Sequence, residues 1–439
     1  MKKLPIRLSF IIVPVLALCL IFLAIIGVRS YQRTDPQVRE QVEALLKHLP
    51  GALISYPFKA KTSEAVKTAK AKAGGFIKGI CHPNDDYEQI KGAGIEWNRA
   101  DVPFPFDENG NLRESYVQWK ERMGRFVASG IRIMAVTPYP RDYIEFGVDP
   151  RLPENKNRVK EIAVFLMKDL QGLIGAVQVS NELYAPRFKY PMTSEEAINF
   201  IRMNLEAMYP IRGNVLLGYN TAGPQMDQHA ALKPYLKYCD YVGVDIYIGC
   251  FFEIGNWMLF YDMTLNALWS YTGKPLILCE FGYISGGNPK TADEKKAIME
   301  QYGASSEKEA RGNIAAFIGN MPEKMRNNIK NEASGDLGNY VFNSEFTNHL
   351  YMELPEKVVV KGYPHTPEGQ AKFYTDIFPR LVKRDYLIGT FVYCYSDSAA
   401  CYYCGQSECP IETRWGLITV DGREKPSYYA VHDMWADTK

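Results

Sequence analysis

Glu182 and Glu280 each close a short apolar run, and carboxyl groups in such places can do chemistry. The first run is Ala176-Val177-Gln178-Val179-Ser180-Asn181-Glu182, and the second is Pro275-Leu276-Ile277-Leu278-Cys279-Glu280-Phe281-Gly282-Tyr283. Each is nearly free of charge and rich in branched side chains, as a strand buried on both faces should be. A glutamate at the end of such a strand is costly unless it is paired or used. Two carboxyl groups on either side of a glycosidic bond divide the work of double displacement: one protonates the leaving oxygen, the other attacks the anomeric carbon. As the acid, Glu182 must hold a proton, through burial or a nearby negative charge. As the nucleophile, Glu280 needs cationic or hydroxyl donors. Arg99, in Trp97-Asn98-Arg99-Ala100-Asp101, is the natural cation, with a salt bridge to Asp101 as its structural alternative. Tyr247, closing Val244-Asp245-Ile246-Tyr247, is placed to donate a hydroxyl or simply to pack.

The elements that must position these residues alternate from Gly75 onward. Strands are predicted over 76–82, 94–101, 131–137, 176–181, 214–220, 241–247, 275–280 and 387–395. Helices are predicted over 85–93, 115–129, 155–171, 194–209, 233–238, 257–271 and 367–384, with a last one over 427–435. That alternation predicts an α/β fold, one (β/α)8 TIM barrel, whose strand ends share a catalytic face. His82, Tyr139 and Asn220, after strands one, three and five, then stand where substrate contacts arise, although each also suits a loop anchor. Residues 285–365, after strand seven, far exceed the usual loop of about 2–6 residues. They contain helical patches over 292–301 and 307–318 and read as a small subdomain forming a lid or wall over the catalytic face.

The order of the strands carries a resemblance. Asn181-Glu182 ends strand four, and Glu280-Phe281-Gly282 ends strand seven. This resembles the 4/7 superfamily (clan A) of (β/α)8 retaining glycoside hydrolases, from about residue 76 to 435. The resemblance implies Glu182 as acid/base, Glu280 as nucleophile and Asn181 on the sugar 2-hydroxyl. It supports an arginine at Arg99 beside the nucleophile and a tyrosine near Tyr247. Many relatives have a tryptophan platform after strand eight, where this chain has Tyr395-Ser396-Asp397; Tyr393 or Tyr395 is the candidate replacement. The tail, Trp415-Gly416-Leu417-Ile418 and then Lys425-Pro426-Ser427-Tyr428, resembles the closing segment of the clan and reads as structural. The expected activity is retaining hydrolysis of O-glycosyl bonds in a β-linked glycan, with no metal or organic cofactor. The alternative is a catalytically silent barrel that binds glycan or a partner protein at the cell surface. A metal-dependent barrel hydrolase would need a His-rich or Asp-rich cluster at the strand ends, and the six histidines are scattered.

Lys2, Lys3 and Arg7 precede an apolar run over 8–28, long enough to span a bilayer, which takes roughly 17–25 residues. The flank Ile25-Ile26-Gly27-Val28-Arg29 lacks a good small-residue cleavage site, which favours an uncleaved anchor over a cleaved signal. Basic residues on the N-terminal side place that side in the cytoplasm. The expected layout is an anchor over 1–29, a stalk over 30–74 and a catalytic domain over 75–439 outside the cytoplasm. The protein would be secreted if the segment were cleaved. Lys+Arg of 51 against Asp+Glu of 50 gives no sign of nucleic-acid binding. The 29 tyrosines and 6 tryptophans suit both sugar stacking and barrel packing. Cys394, Cys401, Cys404 and Cys409 crowd the end of strand eight. Three states stay open for them: disulfides such as Cys404–Cys409 and Cys394–Cys401, a metal site using the Cys401-x-x-Cys404 gap, or free thiols. An extracytoplasmic compartment favours disulfides.

Overall fold

Each apolar run becomes a strand, and the eight strands close in sequence order into one parallel barrel in the computed structural model. They are β1 (Ile77–Cys81), β2 (Trp97–Asp101), β3 (Arg132–Val136), β4 (Ala176–Gln178), β5 (Leu216–Tyr219), β6 (Tyr241–Tyr247), β7 (Leu276–Gly282) and β8 (Leu387–Val392). The structure describes Lys47 and residues 63–438, apart from 251–256, 334, 344–345, 356–357 and 437. The chain is therefore a (β/α)8 barrel. The segment expected to anchor it, residues 1–29, and most of the expected stalk lie outside the described residues. Among the described residues no helix is long and apolar enough to cross a membrane.

The barrel closes where two glycines admit large neighbours. β1 and β8 pair with Ile77 opposite Gly389 and Gly79 opposite Phe391. A Cβ on Gly79 would lie 2.2 Å from the Phe391 ring, and one on Gly389 would lie 2.2 Å from Ile77 Cβ. Any side chain there would force the seam apart. The helices bury apolar stripes on the outside of the barrel. Lys156–Leu170, for example, buries Val159, Ile162, Ala163, Leu166, Met167 and Leu170, spaced three to four apart. Below the barrel, helix Glu64–Ala73, within the segment read as a stalk, packs Val66, Ala69 and Ala73 inward. Arg132 on β3 donates to the carbonyls of Lys72 and Ala73 at its C-terminal end.

The long connection after β7 is helical. Ala292–Gln301 forms as predicted, while the predicted 307–318 helix breaks at Asn313 into Glu307–Gly312 and Ile314–Gly319. Three further helices follow: Glu323–Glu332, Leu337–Asn343 and Phe346–Tyr351. Across the insertion Phe317, Met321, Met325, Ile329, Val341 and Leu350 are buried. Sequence reading missed these three helices: Leu337–Asn343 and Phe346–Tyr351 are only 7 and 6 residues long, and Glu323–Glu332 is mostly polar and buries only Met325 and Ile329.

The loop after β8 is locked to the tail by a buried ion pair. Lys425 Nζ donates to Asp397 Oδ1 at 2.9 Å and to Ser285 Oγ at 2.8 Å, and Asp397 Oδ1 also accepts from the Gly416 amide. Asp397→Ala strands the ammonium in a dry site and should cost about 3–5 kcal/mol. The denaturant midpoint of that variant checks it; a cost below about 1 kcal/mol, the surface-pair range, would refute the assignment.

Candidate active site

At the C-terminal end of the strands, Arg99 organises a polar cluster. Its guanidinium is buried on β2 and presents donors in a rigid fork. Nη1 donates to Glu280 Oε1 at 2.5 Å, Nη2 to Asn181 Oδ1 at 2.7 Å and Nε to Gln178 Oε1 at 3.0 Å. Burial opposes the charge on Arg99, but Glu280 outweighs it and holds the group protonated. The expected alternative, a pair with Asp101, does not form. Tyr247, at the end of β6, donates its hydroxyl to Glu280 Oε2. Burial and the Glu280 charge push this phenol up, so it stays a donor. Both oxygens of Glu280 are thus acceptors, one from a cation and one from a hydroxyl.

Glu182 reaches the site through an unusual turn. β4 stops at Gln178, and Ser180 and Glu182 take positive φ of 51° and 43°, a conformation that costs a non-glycine residue energy. The turn lifts Asn181 and Glu182 out of the strand plane. It is held from below: Gln178 Nε2 donates to the Ser180 carbonyl at 2.7 Å, and the Glu182 amide donates to Asn220 Oδ1 at 2.9 Å. Asn181 Oδ1 accepts from Arg99, Gln178 and Asn220. Its oxygen is committed, so its amide N–H groups are what it can offer a ligand. The Glu182 carboxyl lies in a different setting from that of Glu280. Burial, and then the charge on Glu280, push it up to about 7, against the pull of Arg187.

Two members of this cluster were not singled out from the sequence. Gln178 braces both Arg99 and the β4 turn. Asp245 sits opposite Glu280 because the β6–β7 register shifts between Val244 and Asp245. Its Oδ2 accepts from Asn220 Nδ2 at 2.6 Å, while burial and the charges of Glu280 and Glu182 push its carboxyl well up. A signal existed for both: each is a lone polar residue inside an apolar strand run. No local signal pointed to Arg187 and Glu412. Arg187 follows β4, and buried Glu412 lies in the β8 loop, 4.0 Å from Arg187. Burial pushes Glu412 up to about 7, with Arg187 opposing.

The remaining predicted residues divide. Asn220 joins the network directly. Tyr139 stands beside it, its ring stacked on Phe188 at 5.6 Å, and its phenol is pushed up by burial first and then by Asp101. His82 is exposed and meets the Tyr393 ring edge-on at 5.6 Å. Tyr395 does not join: it is fully buried and its hydroxyl donates to Gln89 on the helix after β1. Tyr393, the other candidate, meets Tyr247 and Trp415 edge-on.

The cysteine pairs considered above do not form: Cys394, Cys401, Cys404 and Cys409 are all free and buried. Cys394 Sγ turns away to the Ser396 carbonyl at 3.3 Å. The other three converge on His349.

No protein-family model matches the chain, and no curated protein matches it. Solved structures share its fold. A β-glucuronidase from an uncultured Clostridium species is 12% identical with a TM-score of 0.50, covering 83% of this chain and 50% of its own. A GH2 β-galacturonidase from Eisenbergiella tayi bound to galacturonate is 12% identical with a TM-score of 0.48, covering 83% and 51%. The GH53 catalytic domain of Ignisphaera aggregans is 16% identical with a TM-score of 0.48, covering 84% and 93%. The chain spans about half the length of the first two. At these identities the likeness shows the barrel fold alone.

Proposed function

We propose that this barrel is a retaining glycoside hydrolase acting on a β-linked glycan, with its carboxylates arranged as in the 4/7 superfamily. One observation carries the reading: two neighbouring glutamates sit in opposite environments. Glu280 is gripped by Arg99 and Tyr247, whereas Glu182 is buried with its carboxyl pushed up to about 7. Environments that differ in this way assign the acid and the nucleophile. In the first step a Glu280 oxygen bonds to the anomeric carbon as the glycosidic C–O bond breaks, and Glu182 gives its proton to the departing oxygen. In the second, Glu182 takes a proton from water as that water displaces Glu280. The Asn181 amide donates to the 2-hydroxyl, and Tyr139 and Tyr393 provide apolar faces for the ring. On this reading residues 1–29 hold the domain at the outer face of a membrane, and glycan there is its substrate.

The test is hydrolysis of a panel of aryl β-glycosides and β-linked oligosaccharides, with the first-formed anomer read by NMR. Retention of the β-anomer supports the proposal. Inversion refutes the double displacement, and binding without turnover across the panel favours the silent barrel. The acid also fixes a pH limb. Glu182 must be protonated in the free enzyme, so kcat/KM should fall about tenfold per pH unit above about 7. A profile flat to pH 9 would remove Glu182 from the acid role.

A further inference from the structure

Three cysteines and a histidine meet away from the carboxylate cluster. His349 lies on helix Phe346–Tyr351 of the insertion, while Cys401, Cys404 and Cys409 lie on the loop after β8. One ligand atom from each falls within 4.8 Å of all the others, and all four residues are buried. His349 Nδ1 is 3.5 Å from Cys409 Sγ and 3.7 Å from Cys401 Sγ. Tetrahedral zinc, with bonds of about 2.3 Å to sulfur and about 2.0–2.1 Å to nitrogen, sets sulfur and nitrogen about 3.5–3.6 Å apart. The observed distances match those edges. We propose that His349, Cys401, Cys404 and Cys409 bind a structural Zn2+ that fastens the insertion to the β8 loop.

The local backbone suits thiolate ligands. Cys401-Tyr402-Tyr403-Cys404-Gly405 folds back on itself: the Gly405 amide donates to the Cys401 carbonyl at 2.8 Å, and Gly405 takes φ +81°. The Cys404 amide donates to Cys401 Sγ at 3.3 Å, a contact that favours the anionic sulfur. Four protein ligands leave no open position, so the site is closed and structural, not catalytic. Binding releases the thiol protons and leaves three thiolates and one neutral imidazole around the ion. The surroundings are rigid. Tyr403 packs its ring on His349 at 4.4 Å, its hydroxyl donates to Glu332, and its carbonyl accepts from Asn328. Between and just beyond the ligands lie Tyr402 and Glu412, both against Arg187 beside Glu182. The ion therefore fixes the segment that packs on Arg187 beside the carboxylate cluster.

Elemental analysis of the full chain, purified without chelator or added metal, tests this. The expected result is one zinc per chain, lost in Cys404→Ser and in His349→Ala and kept in Cys394→Ser. Should the ligand variants fail to fold, the wild-type chain exchanged into Co2+ reads the site directly: intense visible bands of tetrahedral thiolate-bound cobalt support it. A wild-type chain that takes up neither Zn2+ nor Co2+ overturns the proposal. So does a disulfide among Cys401, Cys404 and Cys409 in non-reducing peptide maps. None of these readouts depends on glycoside hydrolysis.

Discussion

Glu280→Gln should lower kcat by roughly 10⁴–10⁶-fold, the loss seen when a covalent nucleophile is removed. The amide keeps the volume and one acceptor oxygen but cannot form the glycosyl ester. Arg99 then faces a neutral partner, yet it keeps Gln178 and Asn181 as acceptors, so the fold should survive. Thermal unfolding of the variant separates lost chemistry from lost structure. A 2-fluoro glycoside with a good leaving group gives a second check. The wild-type enzyme should accumulate an ester that maps to the peptide bearing Glu280, and the variant should not. Activity within tenfold of wild type, or a label on another residue, would remove Glu280 from the nucleophile role.

The barrel was legible because buried parallel strands leave long apolar runs, and β6 begins and ends where its run does. Glu182, Glu280, Arg99 and Tyr247 were legible as strand-end exceptions to that rule. What stayed hidden depended on registers and distances that a sequence does not carry. Asp245 faces Glu280 only because β6 slips against β7, so its partner could not be counted from either strand alone. Tyr395 stands beside Tyr393 as a candidate sugar platform by sequence, but in the loop after β8 it is fully buried and turns its hydroxyl to Gln89. The cysteines were visible as a group, yet their fourth partner is 52 residues before Cys401, on a helix too short to predict. Cys394 was grouped with them by proximity in sequence and belongs elsewhere in space.

Glu182 gives the other large effect, and its sign differs between activity and stability. Glu182→Ala should cost about 10²–10⁴-fold in kcat/KM on substrates whose leaving group needs a proton, and much less on dinitrophenyl glycosides. Azide, small enough for the vacated space, should restore turnover as a β-glycosyl azide; no rescue and no dependence on leaving group would argue against the acid/base assignment. Stability runs the other way. The folded carboxyl is raised to about 7 from an ordinary 4.5, by burial first and Glu280 second. Between those values the unfolded chain has released a proton that the folded chain keeps, so stability falls as pH rises through that window. Above about pH 7 the whole penalty is present, on the order of 3–4 kcal/mol at 1.36 kcal/mol per pH unit. Glu182→Gln removes the charge while keeping the shape, so it should unfold at a higher denaturant concentration than wild type at pH 8 and at the same one at pH 4. Asp245, raised by burial first and then by the charges of Glu280 and Glu182, adds a slope of the same sign; the variant lessens it by removing the Glu182 charge, while burial and Glu280 remain. An equal gain at both pH values would mean that the benefit comes from packing and that the carboxyl is not held protonated. The proton that makes Glu182 an acid is thus kept by the burial that makes its anion unwelcome.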